Sequence, residues 1–316
     1  QAQGAKKLAL FVVPKTKKDE IPALVLKGLL RQTADRLSET GIARAQTAAC
    51  EAPLPHAVIA ARVERGRKAL VAGKWLEAVS AYTEAETDLM KCLGLADRAL
   101  VAKTFKGLGI AQWGAGKPTT AKTAVRRSFI VYPWQDASEY AYTQETRDLF
   151  VNVKREVEEA ANGSLNITTT PAGAEVYVDY EFRGFGPVNV TGLAAGEHVV
   201  SVFSDGSLVW SKFVEVPSGG AADLDVPLSL SPSGQAIVEA IVTVSRTFAT
   251  KAGPSSEVAR IVEVTGATDV VFLGASLEKN GFGLTGVHWA AGQITPIKAV
   301  LPRDATLVTA TQSVLT

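Results

Sequence analysis

SLNITTTPAGAEVYVDYEFRGFGPVNVTGLAAGEHVVSVFSDGSLVWSKFVEVPSGGAADLDVPLSL, residues 164–230, decides the reading of this chain. Short alternating runs of Val, Ile, Thr, Tyr and Phe are separated by Gly, Pro, Asn and Asp at nearly even spacing. That pattern predicts a small antiparallel β-sandwich. Val176 and Val178 fall on one face of a strand, Tyr177 and Asp179 on the other. Pro171 and Gly173 turn the chain ahead of that strand, and Gly196 supplies the turn before a later one. Everything before this stretch, from about Ala57, reads as helix, and the residues after it read as mixed α/β. The predicted class is multidomain α+β.

The landmarks Pro171-Ala172-Gly173-Ala174, Glu175 to Asp179, Gly184, Pro187 and Leu193 to Val200 together resemble the PEGA domain, named for a Pro-Glu-Gly-Ala signature. Ala172 replaces the Glu, and Tyr180 stands where that family usually has Gly after Asp. The departure at Tyr180 bears on the turn type, not on the fold. The resemblance covers about one fifth of the chain. Such domains are found in bacterial cell-envelope proteins, often beside tetratricopeptide repeats, so the resemblance implies an exported bacterial protein; it does not imply catalysis.

Within this stretch Asp179, Glu181, Asp205, Asp223 and Asp225 read as solvated turn residues, because calcium needs six or more oxygens on one compact loop. Asn162, Asn166 and Asn189 each begin an N-x-Ser/Thr triplet and read as strand and turn residues. A glycan-binding face would draw on Trp210, Tyr177 and Phe182, once one apolar face is assigned to the core.

Working outward toward the N-terminus, Ala57 to about Ala161 carries an internal repeat. Gly66, Gly73, Trp75, Ala78, Tyr82 and Ala85 make the first copy, and Leu108, Gly109, Gly116, Ala121 and Pro133 hold the corresponding places in the second. This spacing resembles the tetratricopeptide repeat, in which small residues let paired helices approach and an aromatic fills the groove between them. The two copies stand about nine residues further apart than the standard period, with LMKCLGLADR as the insertion. Asp97 caps a helix running through Leu108. A closing helix spans Thr143 to Ala161. A generic helical bundle accounts for the same residues. Either arrangement offers a docking surface. Trp75, Tyr82 and Trp113, with Trp134, Tyr140 and Tyr142 in the aromatic cluster near the end of the module, are the candidate partner-binding residues. Packing of a terminal cap is the other account of that cluster.

At the two ends, Lys7 to Pro14 reads as a buried strand. Ile21 to Thr40 reads as a helix with Pro22 in its first turn and Gly41 as its stop. Ile42 to Thr47 reads as a second strand. Beyond the linker Ser231–Gly234, Gln235 to Phe248 and Pro254 to Thr265 read as helices. Thr268 to Ala275 is a strong buried strand, Phe282 to Ala290 and Ile294 to Val300 alternate, and Ala305 to Val314 is β-prone. The helix, Gly-Ala-Thr-Asp, strand arrangement resembles the second half of the TolB N-terminal domain, whose first half is β-α-β. Neither end alone closes a sheet, so both are expected to build one domain. The expected domains are 1–48 and 235–316 as the halves of an α/β domain, 56–161 as the helical module and 164–230 as the sandwich. A separate C-terminal domain with a loose N-terminal arm is the rival.

Bulk properties bound the function. The chain has 316 residues, 47% hydrophobic, with a net charge of +1. Such a chain builds several cores and argues against nucleic acid as the partner. The basic clusters Lys15, Lys17 and Lys18, and Arg62, Arg65, Arg67 and Lys68, read as solvated faces. No apolar run is long enough to span a bilayer, so no membrane attachment is visible. The start at Gln1 leads to the expectation of a removed signal peptide and a periplasmic home. Two cysteines, Cys50 and Cys92, invite a disulfide that would contribute about 4 kcal/mol; two separate buried thiols are the alternative. They find no further ligands for a zinc site. His56, His198 and His288 stand in no carboxylate-plus-nucleophile pattern, and neither Gly107-Leu108-Gly109 nor Gly281-Phe282-Gly283 is a phosphate loop. No cofactor is expected. The expectation is a non-enzymatic periplasmic scaffold or adaptor that engages protein partners in an envelope assembly for motility, secretion or maintenance. The alternatives are a peptidoglycan binder acting through the PEGA-like module and an enzyme in the terminal α/β domain.

Overall fold

A computed structural model describes residues 6–14, 17–32, 42–52, 54–133, 143–247, 255–279 and 281–302. The candidate residues Trp134, Tyr140 and Tyr142, the end of the first expected helix and the β-prone run 305–314 lie outside the described residues. The described elements run β1 (Lys6–Val12), α1 (Glu20–Gln32), β2 (Ile42–Arg44), α2 (His56–Val71), α3 (Trp75–Met90), α4 (Arg98–Gly114), α5 (Pro118–Val131) and α6 (Gln144–Glu159). Seven strands come next: β3 (Gly163–Thr170), β4 (Glu175–Val178), β5 (Glu181–Phe185), β6 (Val188–Leu193), β7 (Gly196–Phe203), β8 (Trp210–Val216) and β9 (Ala221–Pro227). The chain continues with α7 (Gly234–Thr247), α8 (Ser255–Thr265), β10 (Asp269–Glu278), β11 (Gly281–Ala290) and β12 (Gln293–Pro302). It is a mixed α+β protein in two compact units, one of residues 1–49, 204–208 and 229–316, the other of 50–203 and 209–228.

The first unit is built on a five-stranded sheet of order β12-β11-β10-β1-β2. β1 runs parallel to both neighbours, with Leu8 opposite Asp269 and Val12 opposite Leu273. β10, β11 and β12 form an antiparallel meander. β1 and β10 are nearly continuous apolar runs because both faces of the sheet are covered. Ala9, Phe11, Val270 and Phe272 pack with Ile237 and Val244 of α7 and Val258 and Ile261 of α8, and Phe11 stacks on Phe272 at 5.0 Å. On the opposite face Leu8, Val271, Leu273 and Leu284 meet Leu26 and Leu30 of α1. Residues 204–208 belong to this unit through Gly206 N–H donating to Thr47 O at 2.8 Å and Ala49 N–H donating to Ser207 O at 2.9 Å.

The second unit begins with helices that pack successively, α2 on α3, α3 on α4, α4 on α5 and α5 on α6. The Tyr82 ring explains two of the glycines. It is 1% exposed and lies so close over Gly66 and Gly107 that a Cβ at either position would overlap it. Gly114 receives the Trp75 ring in the same way. Asp97 caps α4, accepting from Leu100 N–H at 2.7 Å, and Thr143 caps α6 in a capping box with Thr146. Cys50 and Cys92 form a disulfide, with Cα atoms 5.6 Å apart. It ties the entry of the unit to the residue before a 3-10 turn at Leu93–Leu95.

The seven strands make two sheets, β6-β3-β9 and β5-β4-β7-β8. One pair corrects the expectation of a wholly antiparallel sandwich: β3 and β9, the first and last strands, run parallel. An all-antiparallel ladder is the product of hairpins, and these two strands meet only because the sandwich closes across itself. Leu165, Ile167, Val176, Val178, Val190, Val200, Val202, Val216 and Val226 fill the space between the sheets. The outer side of β7 and β8 is partly covered. Val199 and Phe213, with Tyr180, join the core of the helices, and Phe213 meets Phe105 of α4 edge-on at 5.2 Å. The core of the helices therefore extends onto one face of the sandwich, which keeps its own core between the sheets.

Candidate functional site

The β4–β5 corner is where the two parts of this unit are joined. Its central residues are Asp179 and Tyr180, at φ 50° and 67°. Two consecutive positive φ values in a two-residue hairpin make the type I′ turn, which matches the twist of the flanking strands. The family usually places Gly where Tyr180 stands. A side chain in this region costs about 1–2 kcal/mol, and here it makes compensating contacts. The ring packs against the helical core, and the hydroxyl donates to Leu93 O at 2.9 Å. Burial, followed by the charge of Asp179, pushes the Tyr180 phenol upward, so it remains a donor.

By its sequence context Asp179 reads as a solvated turn residue. It is buried instead. Oδ1 accepts from Val199 N–H at 3.0 Å, and Oδ2 lies 2.6 Å from Nδ1 of His198. The other ring nitrogen of His198 lies 2.7 Å from Ala194 O. His198 is thus paired with a carboxylate nineteen positions away, across the β4–β7 ladder in which Val178 faces Val200. Burial works against the charged imidazole, but the Asp179 hydrogen bond and charge and the Ala194 carbonyl outweigh it and raise its pKa. His288 likewise meets Asp269, at 2.9 Å, across the β10–β11 pair. Of the other acidic residues, Asp205 accepts from Thr47 Oγ1 at 2.5 Å. Asp223 and Asp225 lie on β9 rather than in turns, accepting from Asn166 and Thr168.

A second junction lies at Arg127 of α5. Its guanidinium binds Glu197 of β7 through both carboxylate oxygens, at 2.7 and 2.8 Å, and reaches Glu86 at 3.4 Å. It also lies over Phe213, 4.6 Å from the ring centroid. Burial raises the Glu86 carboxyl, with Arg127 opposing and Glu197 adding to the rise. Beside the first junction a cleft of about 320 Å³ is lined by Arg98, Phe129, Ile130, Lys154, Arg183 and Leu193, with the Asp179–His198 pair in its wall. Its cations have partners: Glu181 meets Arg98 at 3.4 Å and Arg183 at 2.9 Å.

The candidate partner-binding residues have different surroundings. Tyr82 is enclosed and serves packing. Trp75 and Trp113 are half-buried against the helical core. Trp210 packs with the sandwich core, with the Lys212 ammonium 5.4 Å from its ring, so it does not join Tyr177 and Phe182. Those two form a half-buried row with Phe185 and Phe203, at centroid spacings of 5.2–5.4 Å. Phe185 and Phe203 escape a reading of the sequence, although both stand in alternating runs. Among the described residues no group of three or more His, Cys, Asp or Glu could hold a metal ion.

Residues 162–231 match the PEGA domain. The match contains the corner, the Asp179–His198 pair and the aromatic row. A comparison of the whole chain with curated proteins finds no match. A PEGA domain together with a disulfide fits an extracellular or periplasmic protein, and no helix among the described residues is long and apolar enough to cross a membrane.

Proposed function

We propose that this protein is a non-enzymatic scaffold or adaptor of the bacterial periplasm, holding a protein partner in an envelope assembly. The observation that carries this reading is the packing of Val199, Phe213 and Tyr180 of the PEGA domain into the core of the helices. Fusing the two parts fixes them as one rigid support, as a scaffold requires and a flexible tether does not. The tetratricopeptide-like reading is supported by the succession of helix pairs and by Tyr82 between Gly66 and Gly107. The TolB-like reading is supported by a sheet in which β1 and β2 come from one end of the chain and β10, β11 and β12 from the other. Between Val101 and Ala111 of α4 only Lys103 is exposed. Docking therefore belongs on outward positions such as Leu76, 72% exposed, and Val151, 61% exposed.

The test is photo-crosslinking from Leu76 and Val151 in the intact envelope of the source cell. The expected outcome is one recurrent envelope protein at near-equal stoichiometry from at least one position. Crosslinks no different from those of an unrelated periplasmic protein would overturn the reading.

A second reading, peptidoglycan binding, is favoured by the row of Tyr177, Phe182, Phe185 and Phe203, since aromatic faces pack against sugar rings. Cosedimentation of the full chain with purified sacculi, lost in a folded Phe182→Ala variant, is its expected result. A full chain that stays in the supernatant would exclude it.

A further inference from the structure

His198 has a hydrogen-bond geometry that requires one proton on Nε2 and a second proton shared with Asp179. Nε2 lies 2.7 Å from Ala194 O, and a carbonyl oxygen only accepts, so Nε2 carries a proton. Nδ1 lies 2.6 Å from Asp179 Oδ2, and Asp179 Oδ1 already accepts from Val199 N–H. A proton must also sit between Nδ1 and Oδ2. A carboxyl is ordinarily the stronger acid of the two, so the shared proton rests on Nδ1; if the ring is neutral beside an ionised Asp179, one of two contacts fails. With the proton on Nε2, the Nδ1 lone pair faces a carboxylate; with it on Nδ1, the Nε2 lone pair faces the Ala194 carbonyl. Neither side chain is exposed enough for water to relieve the conflict.

The same carboxylate belongs to the corner that presents Tyr180 to the helices. Asp179 N–H donates to Val199 O at 2.8 Å, and the next residue sends its hydroxyl to Leu93 O. We propose that the Asp179–His198 pair is a pH-sensitive latch, in which the proton between Nδ1 and Oδ2 holds the β4–β5 corner and Tyr180 against the helices, and its loss in alkaline medium releases the corner and widens the cleft.

The surrounding charges are mostly balanced. On β5, Arg183 opposes protonation of His198, and its partner Glu181 is shared with Arg98 of α4. On α6, Lys154 reaches Glu158 at 3.7 Å. On β7 itself, Glu197 is taken up by Arg127. Asp179 is therefore the charge that decides the state of the ring. Linkage sets the sign: a histidine with a raised folded-state pKa contributes its full stabilisation below the unfolded value, about 6.5, and loses it as pH rises through the folded value.

The test uses the full chain. Nitrogen-15 NMR of the imidazoles at pH 7 should show both nitrogens of His198 protonated, with a titration midpoint above that of an unfolded-chain histidine. Across that midpoint, amide exchange at 179–183, corrected for intrinsic pH dependence, should lose at least tenfold in protection. In Asp179→Asn the midpoint should fall below the unfolded value, and in His198→Gln the protection at 179–183 should no longer change with pH. An unprotonated Nδ1 at pH 7 overturns the proposal without recourse to any variant. So does corner protection that stays constant while His198 titrates, or that changes equally in His198→Gln.

Discussion

Tyr180 is the residue at which turn chemistry and packing compete. The turn asks for a residue tolerant of positive φ, and Tyr is accepted because its ring and hydroxyl find partners on the helices. Tyr180→Phe keeps the ring and removes one hydrogen bond. It should lower stability by about 1 kcal/mol, read as a reduced urea midpoint at unchanged denaturant slope; an unchanged midpoint would show that the hydroxyl bond contributes nothing. In the other unit, burial works against the charged form of Asp269, but the Thr268 hydroxyl and His288 outweigh it and hold the carboxyl below its ordinary range. Its contribution is therefore present above the unfolded carboxylate value and lost as pH falls through the lower folded one. Asp269→Asn should flatten the acid limb of this unit's pH–stability curve, measured by urea titration between pH 5 and pH 2. The His198–Asp179 partnership was hidden in the sequence for a plain reason. Nineteen residues separate the two, and only the pairing of β4 with β7 brings them together. The letters themselves, Asp before a turn and His inside a strand, describe a solvated corner equally well.

The elements were legible where local pattern and burial agree. Alternation at 282–290 and 294–300 became β11 and β12, and the continuous apolar run at 268–275 became β10. The cap at Asp97 lies where Asp precedes a helical period. Glycines in the helices carry packing information that helix propensity conceals. By propensity alone, Gly107→Ala should stabilise α4 by about 1 kcal/mol. The Tyr82 ring occupies the place of the new methyl group, so we expect a net loss of about 1–3 kcal/mol instead. Thermal unfolding decides between the two signs: a higher midpoint would mean that Tyr82 can move aside. The parallel β3–β9 pair was not legible, because strand signals report which residues alternate and not the direction of a neighbour as distant in sequence as Ala221 is from Ser164.

At the scale of the whole molecule, the disulfide and the packing of Val199, Phe213 and Tyr180 against the helices hold the second unit together. The bridge spans a sequence separation of 42 residues, for which loop-closure entropy gives about 4 kcal/mol. Reductant should therefore lower the urea midpoint of the wild type and leave that of a Cys50→Ser/Cys92→Ser variant unmoved, already low. Equal midpoints for the two proteins without reductant would show that the bridge does not stabilise the fold. The amino-acid sequence alone determined the helical and β-rich stretches and the presence of a PEGA domain, because side-chain periodicity and turn residues act over a few neighbours. The tertiary structure alone decided the register of Leu8 on Asp269, the parallel closure of the sandwich, the burial of Asp179 with His198 and the packing of β7 and β8 against α5 and the 3-10 turn. Each depends on which distant apolar surfaces fit together, and that complementarity is a property of folded faces rather than of any local run of residues.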